Sequence, residues 1–432
     1  MHRLLFISEQ HQYQRLDNLS DYLRAVLSEE IYQKSFFYRP DMLCFRLYND
    51  GTNLFADTNY FIGVDWLVPE KAAVYIEPKL NAISQIDFTQ MLLQSLEGTE
   101  NVNHLDNLFH VDYSQTWITI PTQKDLLSPT LIVQFLMLAQ KIVRKGLRRS
   151  YYRVTENLNN RVKGKILIGE QIKHNILKNR LTKTICSYQE YGINTPENQF
   201  LKLILQFAGS YMDQRNSFFT SEQLFKLKNI LHFCLTAFEQ VSVLENKHQR
   251  IKVSPNPFYK EYNKAIEIGE YILKRFSFNI SKTNQTQTST PPFWIDMSKL
   301  FELFVFGKFK KIFPRPGEIT YHDAFMGGKE TDILIKSDGY KCVVDCKYKP
   351  QYQSSSPSLD DKRQLAGYTR LKSVYNKLSI PLDQVVRGLI VYPNQNASIV
   401  IEKESLFKTN IEEYVSFYKL GIKLPELSKF AG

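Results

Sequence analysis

TDILIKSDGYKCVVDC, residues 331–346, continued by Lys347, is the stretch on which the reading of this chain turns. It predicts two short strands, 333–336 and 340–347, joined at Asp338-Gly339. Asp-Gly between β-rich runs is a strong local signal for a hairpin. With those two residues at the turn, Asp332 falls directly opposite Asp345, and period-two alternation puts Lys347 on the face of Asp345. Two carboxylates and one amine then converge on a sheet otherwise built from Ile, Leu and Val.

That is the make-up of a divalent-metal phosphodiesterase site. Phosphodiester hydrolysis requires charge neutralisation on the transition-state oxygens and a hydroxide-like nucleophile, and a bound divalent cation serves both needs. Mg²⁺ takes oxygen ligands, usually one or two carboxylates with water and substrate phosphate. Asp332 and Asp345 would supply the carboxylates and the Cys346 carbonyl a further ligand, with Mn²⁺ as an alternative ion. Lys347 would hold the attacking water or stabilise developing charge. The plainer reading is a surface hairpin with a solvated Asp–Lys pair, worth about 0–1 kcal/mol. Against it, CVVDC sets Asp345 between apolar neighbours, where a carboxylate without a partner is costly.

Two flanking helices extend the set. In KLFELFVFGKF (299–309) nearly every face is apolar except at Glu302, which implies either proximity to a metal site or a salt bridge to a core Arg or Lys. On the second helix Asp361, Gln364 and Tyr368 share a face. Gln364 would bond a DNA phosphate or orient Lys347, unless that face is simply exposed. His322-Asp323 resembles an acid–base pair, but neighbouring strand residues point to opposite faces, so a structural role is favoured.

The chain has 432 residues, enough for two or three domains, with 43% hydrophobic and 23% charged residues, as in a globular soluble protein. Its net charge of +11 suits a polyanionic partner but identifies none. The basic, aromatic run Arg144, Lys145, Arg148, Arg149, Tyr151, Tyr152 and Arg153 reads equally as a nucleic-acid contact or a solvated helix end. Five scattered cysteines form no CxxC pair and no disulfide framework, which fits a reducing cytoplasm. MHRLLFISEQ is too quickly polar for a signal peptide, and polar residues interrupt the apolar stretch 131–143, so no membrane span is expected. Gly164–Gly169 is followed by Glu170-Gln171, and Gly327-Gly328-Lys329 by Glu330, so neither is a P-loop.

Along the chain, residues 1–115 read as a strand-rich α+β region with one helix near 84–97, and 116–285 as a mainly helical middle domain. Thr195-Pro196 marks a helix start, and amphipathic runs lie near 198–213, 221–241 and 260–277. SKTNQTQTSTPP (281–292) has no apolar side chain and reads as a linker. The last unit, 286–432, predicts a helix from Asp296 or Ser298 to about 313, and a strand at 318–325. The hairpin follows, then a helix boxed by Ser358 and Asp361 to 378, and strands at 385–392 and 398–402. The fold class is a multidomain α/β.

The C-terminal unit resembles the PD-(D/E)XK nuclease superfamily through Asp332 and Asp345-Cys346-Lys347, with Thr331 where Pro is usual and Asp where Glu is commoner. Gln364-Leu-Ala-Gly-Tyr368 is similar to the QxxxY element of its RecB-like branch. The whole chain resembles the McrC family of modification-dependent restriction systems. The shared stretches are IEPKL (76–80), RVKGKI (161–166), TPENQFLK (195–202), DMSKLFELFV (296–305), TDILI (331–335), DCKYK (345–349) and RQLAGY (363–368). The resemblance implies an Mg²⁺-dependent endonuclease acting on double-stranded, methylated DNA. It also implies docking on a hexameric McrB-like AAA+ GTPase, whose hydrolysis it stimulates through residues 1 to about 280. Dimerisation through the nuclease domain stays open. The competing readings are a non-catalytic activator of the ring and a stand-alone RecB-like nuclease.

Overall fold

The computed structural model describes residues 3–9, 13–16, 20–78, 86–95, 107–214, 219–244, 259–279, 287–325, 329–398 and 400–426. Parts of several expected features (79–80, 84–85, 96–97, 281–286 and 326–328) lie outside these residues. Contacts group the chain into two compact units, residues 1–130 with 281–432, and residues 131–280. This differs from three consecutive domains at 1–115, 116–285 and 286–432.

The reason lies at the expected linker. Residues 287–290 form a strand paired antiparallel with Ile118–Pro121. Strand Phe293–Asp296 sits inside a five-stranded sheet, between Phe61–Val68 and Phe109–Val111. Polar composition alone misread this stretch, because Thr and Ser accept β geometry when a partner strand is offered. Gly63 makes the seam possible: its φ is +155°, and a Cβ there would stand 2.0 Å from the Phe293 carbonyl oxygen. Trp294 is buried and donates its indole N–H to Asp65 Oδ2 at 3.1 Å. The rest of this sheet is Arg3–Ser8 paired parallel to Ala72–Glu77, which pairs antiparallel with 61–68. A four-stranded sheet made from residues 14–58 shares the core around Phe36, Phe45, Phe61 and Trp294.

The decisive hairpin lies in a second five-stranded sheet in the same unit. Its order is Ile319–Phe325, Lys329–Ile335, Cys342–Cys346, Arg387–Pro393, Phe417–Ile422. The first two pairings are antiparallel and the last two parallel. The pairs Ile333↔Val344, Leu334↔Val343 and Ile335↔Cys342 have the expected register. The first strand begins earlier than predicted, at Lys329, while the second is shorter, and residues 336–341 form a loop. Asp338-Gly339 is still the turn: the Tyr340 N–H donates to the Ser337 carbonyl at 3.0 Å, and Gly339 takes the positive φ (+81°) that such a turn needs. The fifth strand is 417–422 rather than 398–402, where the described residues carry no strand.

Helices cover both faces of this sheet. Met297–Ile312 is capped by Asp296, whose side chain accepts from the Lys299 N–H at 3.1 Å. It packs Phe306 on Tyr321 with ring centres 5.2 Å apart. Leu359–Thr369 is capped by Ser358, and Lys372–Leu378 follows after a break at residues 370–371. Leu365, Val374 and Leu378 join Leu334, Val343 and Ile390 in a core on the opposite face.

The second unit holds helices Pro196–Gln214, Ser221–Ala237 and Lys260–Asn279, near the sequence expectations, with Thr195 accepting from Asn198 at the first helix start. It is not purely helical. Ser150–Asn159 and Lys183–Gly192 form a long antiparallel ribbon with Lys165–Ile166 alongside. The basic run opening it is partly consumed by internal ion pairs: Lys145 with Glu261 (2.5 Å) and Arg148 with Glu197 (3.2 Å). All five cysteines are buried and unbridged. Among the described residues no helix is long and apolar enough to cross a membrane.

Candidate active site

Asp345 stands in the middle strand of the C-terminal sheet with only 1% of its surface exposed. The residues beside it in the strand, Val344 and Cys346, are buried as well. The Lys347 ammonium is 3.0 Å from Asp345 Oδ1, yet neither carboxylate oxygen receives a well-directed hydrogen bond among the described residues. A buried carboxylate held by one off-axis charge is a costly arrangement. Burial raises its affinity for a proton, and Lys347 opposes that rise.

Lys347 leaves the strand end and donates to Gln364 Oε1 at 2.8 Å. The Gln364 amide donates in turn to the Tyr368 hydroxyl at 3.1 Å. This is the contact that the expected role of orienting Lys347 would use, on a Gln364 that is otherwise exposed. Burial alone would ease the proton off Lys347, but Asp345 and Asp332 outweigh it and raise the pKa. Asp361, on the same helix face, is turned to Lys349 (2.7 Å) and Tyr352.

Asp332, in the adjacent strand, accepts the Cys346 backbone N–H at 2.7 Å through Oδ2. Cys346 therefore contributes its N–H to this cluster. The Asp332 carboxyl is raised well above the usual range, chiefly by burial and then by the charges of Glu302 and Asp345. Three carboxyl groups crowding one pocket repel one another when ionised, which a divalent cation would relieve.

Glu302 reaches this pocket from the 297–312 helix. It is paired with no Arg or Lys among the described residues. Its Oε2 accepts from Tyr321 OH at 3.3 Å and lies 3.1 Å from His322 Nε2. Asp323, by contrast, turns to Thr320 and Lys377.

The ligand atoms of Glu302, His322 and Asp332 all lie within 4.8 Å of one another, close enough to serve one metal ion. With the Asp345–Lys347 pair beside them, these two carboxylates and one imidazole fit a divalent cation. His322 was set aside on the sequence because strand residues alternate. The signal that would have found it is the strand pairing: flanking pairs Tyr321↔Ile333 and Asp323↔Thr331 set His322 opposite Asp332.

The family described as "McrBC 5-methylcytosine restriction system component" matches residues 59–393. The chain belongs to this family. All the residues that the McrBC family member gathers here, from Glu302 to Gln364, fall inside the matched span. No curated protein sequence matches the chain. Solved structures similar to it include two that hold McrC-type chains in complexes named for McrB or McrBC. One is a chain of a refined half-complex from a tetradecameric assembly of Thermococcus gammatolerans McrB AAA+ hexamers with bound McrC. It shares 14% identity over 98% of this chain and 95% of that chain, with a TM-score of 0.42. The other is a chain of the Thermococcus gammatolerans McrBC complex, with 16% identity, 72% and 89% coverage and a TM-score of 0.28.

Proposed function

We propose that this chain is the Mg²⁺-dependent DNA endonuclease subunit of an McrBC-type restriction system, cutting phosphodiesters when docked on an McrB-type AAA+ GTPase hexamer. The observation that supports it most is the buried Asp345–Lys347 pair, steadied by Gln364 and set against Asp332 and Glu302. A structural ion pair needs no second or third carboxylate beside it; a metal-dependent phosphodiesterase site uses them.

Asp332, Asp345 and Glu302 would hold the cation, with the Cys346 carbonyl as the expected backbone ligand. When bound, the cation supplies Lewis acidity and a lower water pKa. The protein's own part is explicit. Lys347, 3.0 Å from Asp345, would stabilise negative charge on a phosphate oxygen or orient the water. Gln364 fixes its direction. Tyr321, whose hydroxyl is held protonated by burial and by Glu302, fixes the Glu302 carboxylate.

The partner, a hexameric GTPase bound through residues 1 to about 280 and stimulated by them, is part of the same proposal, as is a methylated double-stranded DNA substrate. The test uses plasmid cleavage with GTP and partner, on methylated and unmethylated DNA. Asp332→Ala, Asp345→Ala and Lys347→Ala should each abolish cutting while leaving partner GTPase stimulation intact. Retained cutting by Asp345→Ala refutes the assignment. Cutting by the chain alone, without GTP or partner, refutes the dependence on the ring.

A further inference from the structure

His322 is an L-residue in left-handed geometry, φ +49°, in the middle of strand Ile319–Phe325. That region is sparsely used by non-glycine residues and commonly costs about 1–3 kcal/mol, retained where the surroundings impose it. The effect on the side chain is direct. In a regular strand Tyr321 and His322 would point to opposite faces. Here their rings stack, with centres 4.2 Å apart and planes 18° from parallel. The imidazole is turned out of alternation towards the Glu302 carboxylate, 3.1 Å from Nε2, while Nδ1 faces Glu330 at 3.6 Å.

The position matters because of what stands beside it. Strand register sets His322 opposite Asp332, and its ring nitrogen shares with Asp332 and Glu302 a space small enough for one ion. Next to that space is the Asp345 carboxylate, almost wholly buried and without a well-directed hydrogen bond among the described residues. Carboxylates alone make an oxygen site of the kind Mg²⁺ and Mn²⁺ both take, whereas Mg²⁺ is held almost wholly by oxygen and an imidazole ligand adds affinity only along the first-row series, of which Mn²⁺ is the first and weakest member.

We infer that His322 is a nitrogen ligand of the metal centre, and that it gives the site a preference for Mn²⁺ over Mg²⁺. This rests on the metal-site reading above. Glu302 accepts the Tyr321 hydroxyl and so keeps its carboxylate directed at the same space. Glu330 faces the far side of the imidazole at 3.6 Å, the place where metal-bound histidines ordinarily have a second partner.

The test uses the full chain with Mn²⁺ or Mg²⁺ alone, without DNA or partner. Mn²⁺ affinity is read from loss of the free-ion electron paramagnetic resonance signal, and Mg²⁺ affinity by competition. In wild-type protein grown with ¹⁵N-histidine, electron spin-echo modulation from bound Mn²⁺ should change from the ¹⁴N to the ¹⁵N pattern. His322→Gln should lose that modulation and weaken Mn²⁺ at least about tenfold, the low end of what loss of even an outer partner costs. Mg²⁺ should weaken less, so the Mn²⁺-to-Mg²⁺ ratio falls. Wild-type Mn²⁺ without nitrogen modulation overturns the inference, as does an unchanged ratio in His322→Gln. If Asp332→Asn abolishes binding in the same series, the metal-site reading survives and only the role of His322 falls. Wild-type protein that binds neither ion overturns both.

Discussion

Replacing Lys347 by methionine keeps the length of the side chain and removes its charge, and the structure sets the consequence. The Lys347 side chain is 15% exposed and that of Asp345 is 1% exposed, with 3.0 Å between the charges. Breaking a buried pair from one side leaves an uncompensated charge and costs about 3–5 kcal/mol; the slight exposure of Lys347 argues for about 3 kcal/mol. The cost should depend on pH. Asp345 already has its pKa raised by burial, with Lys347 the main influence lowering it, so Lys347→Met raises it further. A carboxyl that binds its proton more tightly folded than unfolded favours the folded state at low pH, and this is lost as pH rises through the folded pKa. Lys347→Met should therefore lose less against wild type at pH 5 than at pH 8. Urea unfolding at the two pH values measures the difference. The double variant Asp345→Asn/Lys347→Met removes both charges and should recover most of the loss, since neutral replacement of a buried pair is often harmless. Equal stability of Lys347→Met and wild type at pH 8 would show that the pair is not buried as described, and the reasoning would fail.

Three further outcomes follow from other parts of the chain. Asp296 caps a helix in near-complete burial, which pushes its carboxyl from 3.8 up to about 6 despite Arg39 nearby. Wild-type stability should fall between about pH 4 and 6 by about 2–3 kcal/mol; Asp296→Asn keeps a capping side chain and should flatten that slope in thermal unfolding at stepped pH. Gly63→Val should cost at least about 1–3 kcal/mol, because its side chain would meet the Phe293 carbonyl; intrinsic fluorescence of Trp294 should report the same transition. Gln364→Ala should slow plasmid cleavage about 10–100-fold, the usual cost of losing an orienting partner, without changing stimulation of the partner's GTPase.

What could be read from the sequence, and what could not, divides along the range of the interactions involved. The turn at Asp338-Gly339 and the caps at Thr195, Asp296 and Ser358 were legible because each is satisfied within a few residues. The hairpin register followed from the turn, and with it the juxtaposition of Asp332 and Asp345. Gln364 was placed within reach of Lys347 by helical spacing and by resemblance. The strand at 293–296 was missed because its partners are more than 180 residues away in sequence, at Phe109–Val111 and Phe61–Val64. The long ribbon from Ser150 was missed because its alternation is between two exposed faces, and such a strand has no hydrophobic period. His322 and Asp323 do turn to different partners, but alternation assumes regular backbone and could not show that one left-handed residue directs the His322 ring to Glu302.

The strand Phe293–Asp296 has a practical corollary. A fragment begun near residue 286, chosen to isolate the catalytic half, would withdraw an interior strand from between Phe61–Val68 and Phe109–Val111. The remainder would be left with two raw sheet edges, and the excised piece with Trp294 stripped of Asp65. Exchange of the C-terminal part among relatives of this chain therefore has no clean crossover point at that boundary. A chimera would have to carry Gly63, Asp65 and the strand they receive as one inheritance.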